Sequence, residues 1–181
     1  MSGQNGISLE ERIDRLESIE KIQQLKNTYH LFINDCRFTE FGELFTEDAV
    51  VDMGYMGGEK ESWRGREQIS KRFMEIPAVL NQIKQFIHCH TVNVDGDKAS
   101  GWALLEARYG SDERSYNVAA KYEDTYKRVN GKWLFDTVFV KFYFTVPMCE
   151  SWCDEKRHYL IRRPDFQQPP AQANLRPNPP V

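Results

Sequence analysis

Histidine is the side chain whose ordinary pKa lies nearest neutrality, and the chain holds four. Two of them, His88 and His90, are two apart in a run with strand character. A spacing of two places both on one strand face. There they suit general acid or base catalysis, or they sit on a wet strand face. A metal pair is conceivable, but the sequence offers no clear third ligand. Tyr29, Asn34 and Asp35 end a long helical stripe that is otherwise apolar. They either project into a cavity, or Tyr29 is core and Asn34 or Asp35 caps the next helix. Tyr109, Tyr116 and Tyr122 lie in strand-like runs, with Tyr122 on the face of Val118 and Ala120. A buried phenol needs a partner, and a ligand can supply one; aromatic core is the other reading. Lys141 interrupts the apolar run FDTVFVKFYFTV. It requires an acid partner or a route to water, or it holds an anion or oxyanion.

No GxGxxG, Walker loop, GxSxG or HExxH occurs, which argues against a bound nucleotide, a serine hydrolase and a zinc protease. Acid–base chemistry without cofactor or metal, or plain binding, remains.

The elements that must hold these residues follow from periodicity. Ile13, Leu16, Ile19, Ile22, Leu25, Tyr29 and Phe32 step by three or four, predicting one helix from Ser8 to about Phe32. Ser8 is its N-cap, with Glu10 and Glu11 in the first turn. The first half of this helix is charged on its other face, which suits packing on a neighbouring subunit. Phe38, Phe41, Leu44 and Phe45 predict a short second helix. A short strand over 49–53 is expected to break into a loop at Gly54, Gly57 and Gly58. A third helix follows Gly65 and stops near Pro77. Strands are predicted over 86–95, 98–109, 116–129 and 132–146, with turns at Gly96-Asp97 and Asn130-Gly131. Prolines recur from Pro164 onward, so 148–181 reads as a tail that is extended or disordered, or that wraps a neighbouring subunit. Helices followed by an antiparallel meander give an α+β domain over 1–147, with helices on one face of a curved sheet. A hollow inside such a sheet is where a small ligand would sit.

The 181 residues carry a formal charge of −3, with no basic stripe, so nucleic acid is a poor partner. No apolar run approaches the ~20 residues that span a bilayer. Met1 to Gly6 is polar and lacks a signal region, so a cytoplasmic protein is expected. Cys36, Cys89, Cys149 and Cys153 match no zinc or redox motif,, and free thiols are the default in a reducing compartment.

Three stretches carry a family resemblance: IEKIQQLKNTYHLFIND with FTEFGELFTEDAVVDMG, then HTVNVDGDKASGW, then KYEDTYKRVNGKW. In this order, over roughly residues 10 to 146, the chain resembles the SnoaL-like, nuclear-transport-factor-2-like superfamily. Within it, it looks most like cofactor-free lyases such as bile-acid 7α-dehydratase and scytalone dehydratase. That resemblance implies a cone-shaped sheet enclosing a pocket, a homo-oligomer (trimer before dimer), and an eliminating His/Asp pair. The family's helix tyrosine falls on Tyr29. Its aspartate falls on Asn34, with Asp35 one place along. Its strand histidine falls near His88, and by strict spacing on Gln85. A second-strand aspartate falls on Ala107, a histidine on Tyr109, and a late arginine on Lys141.

The expected function is therefore a lyase or isomerase for a bulky cyclic or aromatic molecule such as a steroid, a polyketide or a lignin-derived dimer. His88 or His90 is the expected base, Asp35 or Asn34 orients it, and Tyr29, Tyr55 or Tyr109 is the donor. Trp102, Tyr122 and Lys141 complete the expected lining. A binding module and an assembly subunit of the same fold are the competing expectations.

Overall fold

The structure, a computed structural model, describes residues 8–56, 59–111 and 113–150, and the side chains among these except at 55, 56, 59 and 60. The proline-rich tail, Cys153 and the Tyr55 side chain lie outside that description. Helix α1 spans Leu9–Asn34. Ser8 Oγ accepts from the Glu11 amide at 3.1 Å and the Ser8 amide donates to Glu11 Oε2 at 2.7 Å. This reciprocal capping box fixes where the helix starts. The apolar stripe then behaves differently in its two halves. Leu9, Ile13 and Leu16 are exposed, whereas Ile22, Leu25, Tyr29, Phe32 and Ile33 are buried. Arg128 ties the exposed half down through Asp14 at 2.6 Å and reaches the turn residue Asp97 at 2.7 Å.

The second helix is a 3-10 helix, η1 (Phe38–Leu44). Three residues per turn bring Phe38, Phe41 and Leu44 onto one buried face,. Strand β1 (Phe45–Met56) runs past Gly54, and β2 (Glu59–Arg64) returns beside it. The expected loop is thus a strand pair. Gly54 takes φ 59 at a register shift between Asp52 and Tyr55, so the glycine makes a bulge instead of ending the strand,. Helix α2 is Arg66–Met74, and the single turn α3, Ile76–Val79, carries Pro77 near its start,. Strands β3 (Gln82–Asp95), β4 (Lys98–Ser111), β5 (Arg114–Val129) and β6 (Lys132–Pro147) form the predicted meander. Asn130 and Gly131, at φ 50 and φ 79, supply the left-handed turn between β5 and β6,.

The strands form one curved, unclosed sheet in the order β2-β1-β6-β5-β4-β3. All neighbours are antiparallel except β1 and β6, which run parallel. Alternation sends Ala103, Leu105 and Ala107 of β4, Val118, Ala120 and Tyr122 of β5, and Val138, Val140 and Phe142 of β6 into the core. The buried half of α1 lies against β3 and β6 on that same face. Among the described residues, no helix is long and apolar enough to cross a membrane. Cys36, Cys89 and Cys149 are free and exposed.

Candidate active site

The inner face holds more polar chemistry than its apolar strands suggest, arranged as two hydrogen-bonded chains. The first begins where α1 ends. The Asn34 side-chain amide donates to Gln85 O at 2.9 Å and its oxygen accepts from the Gln85 amide at 2.7 Å. The asparagine therefore pairs with the edge strand β3 as a neighbouring strand would. This pins Gln85 beneath the preceding helical turn, where His30 Nδ1 meets Gln85 Oε1 at 2.7 Å. An amide oxygen only accepts, so His30 Nδ1 carries the hydrogen and Nε2 is a bare lone pair. His30 Nε2 is buried and has no partner among the described residues. Gln85 and Tyr29 both hydrogen-bond the Tyr122 hydroxyl. Tyr29 itself packs on Phe41, Phe73 and Phe135.

The second chain starts at Lys26, one turn before His30. Tyr122, Asp124 and Tyr126 alternate along β5 and all point inward,. Lys26 Nζ donates to Asp124 Oδ2 at 2.8 Å, and neither side chain is exposed. The ammonium also lies 3.4 Å from the centroid of the Tyr122 ring, a favourable site for a desolvated cation. Tyr126 donates to Asp124 Oδ2 at 3.1 Å, which spends its only proton. His90 Nε2, 3.1 Å from the same hydroxyl, is thereby the donor to it, and His90 Nδ1 is bare. His90 Nδ1 and Asp124 Oδ1 are buried without partners among the described residues.

Burial sets the charge states. It pushes His30 well below the ordinary histidine value, and the Lys26 charge adds to this. The same two causes bring His90 down from 6.5 to about 4. Both rings are thus neutral at neutral pH. Burial lowers Lys26 and raises Asp124, and their mutual attraction opposes both shifts. Burial also raises both Tyr122 and Tyr29 well above the ordinary tyrosine value. These phenols are therefore donors and not phenolates.

His88 and His90 do not share a face. Between His88 and Thr91 the register of β3 on β4 shifts, and Cys89 adopts φ 54. This bulge inverts the alternation. His88 is half exposed on the outer face, 3.8 Å from Glu106, while His90 turns inward. Gly101 permits the bulge: a Cβ there would lie 2.7 Å from Thr91 O and 3.4 Å from His90 Nε2.

The remaining expected site residues divide. Asp35 ends α1 as its C-cap and is exposed, so it orients neither histidine. Trp102 is 38% exposed on the outer face below Lys121. Lys141 pairs across strands with Lys121. Its buried neighbours Val140 and Phe142 take the inner face, so alternation turns Lys141 outward. Tyr109 is half buried and stacked on Tyr116 at 4.9 Å. Tyr29, Asn34, Tyr122 and His90 do come together. Lys26, His30, Gln85, Asp124 and Tyr126 are the polar groups that sequence reasoning missed as site residues. The usable signals were His30 and Lys26 one turn apart within the buried arc of α1, and the Tyr-x-Asp-x-Tyr alternation of β5. Among the described residues, no group of three His, Cys, Asp or Glu side chains is placed to hold a metal. Two surface clefts, of about 370 Å³ beside Tyr109 and about 700 Å³ beside Arg66, are lined by neither histidine.

A sequence profile described as the SnoaL-like domain matches residues 14–138. No curated protein sequence matches the chain. Several solved structures are similar. One is a provisionally assigned scytalone dehydratase from Novosphingobium aromaticivorans, at 18% identity, covering 82% of this chain and 95% of that one with a TM-score of 0.65. Another is the type 3 hexachlorocyclohexane dehydrochlorinase of Novosphingobium barchaimii, at 19% identity, 77% and 96% coverage and a TM-score of 0.68. A third is a Mycobacterium tuberculosis protein of unknown function, at 21% identity, 70% and 77% coverage and a TM-score of 0.61. At these identities the likeness concerns the fold.

Proposed function

The chain belongs to the SnoaL-like domain family, and from that premise and the two buried neutral histidines we propose that it is an acid–base lyase, or secondarily an isomerase, acting on a cyclic or aromatic small molecule without a cofactor. The observation that carries this reading is the bare Nε2 of His30, buried while Nδ1 is held by Gln85. An elimination needs a base aimed at the substrate proton and a donor for the departing or developing oxyanion. His30 supplies the base. Its tautomer is fixed by an acceptor-only partner, which keeps Nε2 free for the proton. Tyr122, protonated and fed by hydrogen bonds from Gln85 and Tyr29, stands as the donor. The amide of Gln85 adds no negative charge, so His30 is a weak base suited to an acidified proton, such as one beside a carbonyl. The names of similar structures, a scytalone dehydratase and a dehydrochlorinase, are consistent with elimination.

The test is turnover of steroid alcohols and lignin-type aromatic diols, read by mass spectrometry for loss of water or formaldehyde. His30→Ala is expected to lower kcat at least about 100-fold, and His88→Ala to leave it unchanged. The reverse pattern would move the chemistry to the outer face and refute the assignment. The amides at Asn34 and Gln85, where the family resemblance places an acid and a histidine, favour a second reading as a binding module. Saturable binding of a substrate analogue with no turnover in the wild type would select it.

A further inference from the structure

Four buried side-chain polar atoms lack partners among the described residues; Trp133 Nε1 is a donor, and the other three are His30 Nε2, His90 Nδ1 and Asp124 Oδ1 on the inner face. All three are acceptors. His30 Nδ1 spends its hydrogen on Gln85, His90 Nε2 spends its hydrogen on Tyr126, and Tyr126 spends its own on Asp124. Each ring is left with a lone pair, and the carboxylate with an oxygen that Lys26 and Tyr126 do not use. The groups are neighbours in the fold. Lys26 bonds Asp124 and sits one turn from His30, and Asp124 connects through Tyr126 to His90. Desolvating an acceptor without giving it a donor is unfavourable, and native interiors rarely tolerate it. Such a cluster has a use when the missing donors arrive with a ligand.

We propose that the interior of the sheet binds a ligand that donates at least two hydrogen bonds, a vicinal diol on a flat ring, across His30 Nε2, His90 Nδ1 and Asp124 Oδ1. This deepens the lyase reading by naming the functional group that the substrate presents, and it rests on that reading only for turnover. Ethers and halides of the same shape carry no donor. They leave the three acceptors unsatisfied, and the site rejects them. A hydroxylated substrate is therefore selected over a chlorinated one.

The experiment uses the full chain and three probes of one shape: catechol, 1,2-dimethoxybenzene and 1,2-dichlorobenzene. Affinity is read by titration calorimetry. Nitrogen-15 shifts of His30 and His90 report whether each bare nitrogen gains a hydrogen bond. Catechol is expected to bind at least roughly tenfold tighter than either analogue and to move both nitrogens. His30→Leu and His90→Leu are each expected to reduce that preference, and His90→Asn serves as a smaller change if a leucine variant does not fold. Equal binding of the three probes, no binding of catechol, or nitrogens already hydrogen-bonded by water that catechol does not displace would overturn the proposal. Its failure is separable from that of the lyase reading. Loss of turnover in His30→Ala without diol preference sinks only this inference. Diol preference in a protein with no turnover sinks only the lyase.

Discussion

Lys26 has no exposed surface, and its ammonium faces one carboxylate and the rings of Tyr29, Tyr122 and Phe135. In so dry a setting the attraction to Asp124 largely offsets the cost of burying two ions, so the pair is worth little compared with apolar residues of similar size. Breaking it is different, because one charge is then stranded. Asp124→Leu or Lys26→Met alone is expected to lower stability by about 3–5 kcal/mol. The double variant Lys26→Met/Asp124→Leu is expected to recover most of that loss. Urea unfolding of the four proteins measures the coupling; additive single losses would show that the two groups do not act as a pair. A structure that retains such a pair beside two neutral histidines gains a fixed charge where chemistry can use it. Lys26 helps to hold both rings unprotonated, which is the state a base requires.

The elements that carry these residues were legible to different degrees. The stripe on α1, the four meander strands and the Asn130-Gly131 turn follow from periodicity and turn chemistry, and all are present. The placement of His88 with His90 assumed an unbroken period of two. Nothing in the sequence marks the bulge, since its left-handed residue is Cys89 and not glycine or asparagine. Gly101, on the facing strand, is its trace. Gly101→Ala would push a methyl group to 2.7 Å from Thr91 O, so it is expected to cost roughly 1–3 kcal/mol and to displace His90. Unfolding and the His90 nitrogen-15 shift together check this; an unchanged His90 signal would mean that the bulge does not depend on the glycine. The family resemblance places an aspartate at Asn34. The two bonds of Asn34 to the Gln85 backbone explain the amide instead, because a carboxylate could not donate to Gln85 O. Lys26 escaped notice because a lysine at that point in a helix reads as solvated, and only the fold places Asp124 against it.

For the whole molecule, these buried groups make stability depend on pH with a definite sign. The unfolded chain protonates its histidines as pH falls through about 6.5. In the fold, His90 takes a proton only near 4 and His30 also resists protonation. Over that window the unfolded state binds more protons, so acidification favours it. The histidine contribution is fully present above about pH 6.5 and is lost as pH falls toward 4. Asp124, raised by burial, takes up its proton more readily in the fold and works against this slope, so the wild type alone does not isolate the histidines. The comparison that does is wild type against His30→Leu/His90→Leu, in urea midpoints from pH 7 to pH 4. The wild-type midpoint is expected to fall more steeply across the window than that of the double variant. Removing two unsatisfied acceptors is also expected to leave the variant at least as stable near pH 5, where the wild type is already losing its advantage. Parallel curves would mean that the folded protein already accommodates the imidazolium, and that the inner face is wetter than its buried ring nitrogens imply.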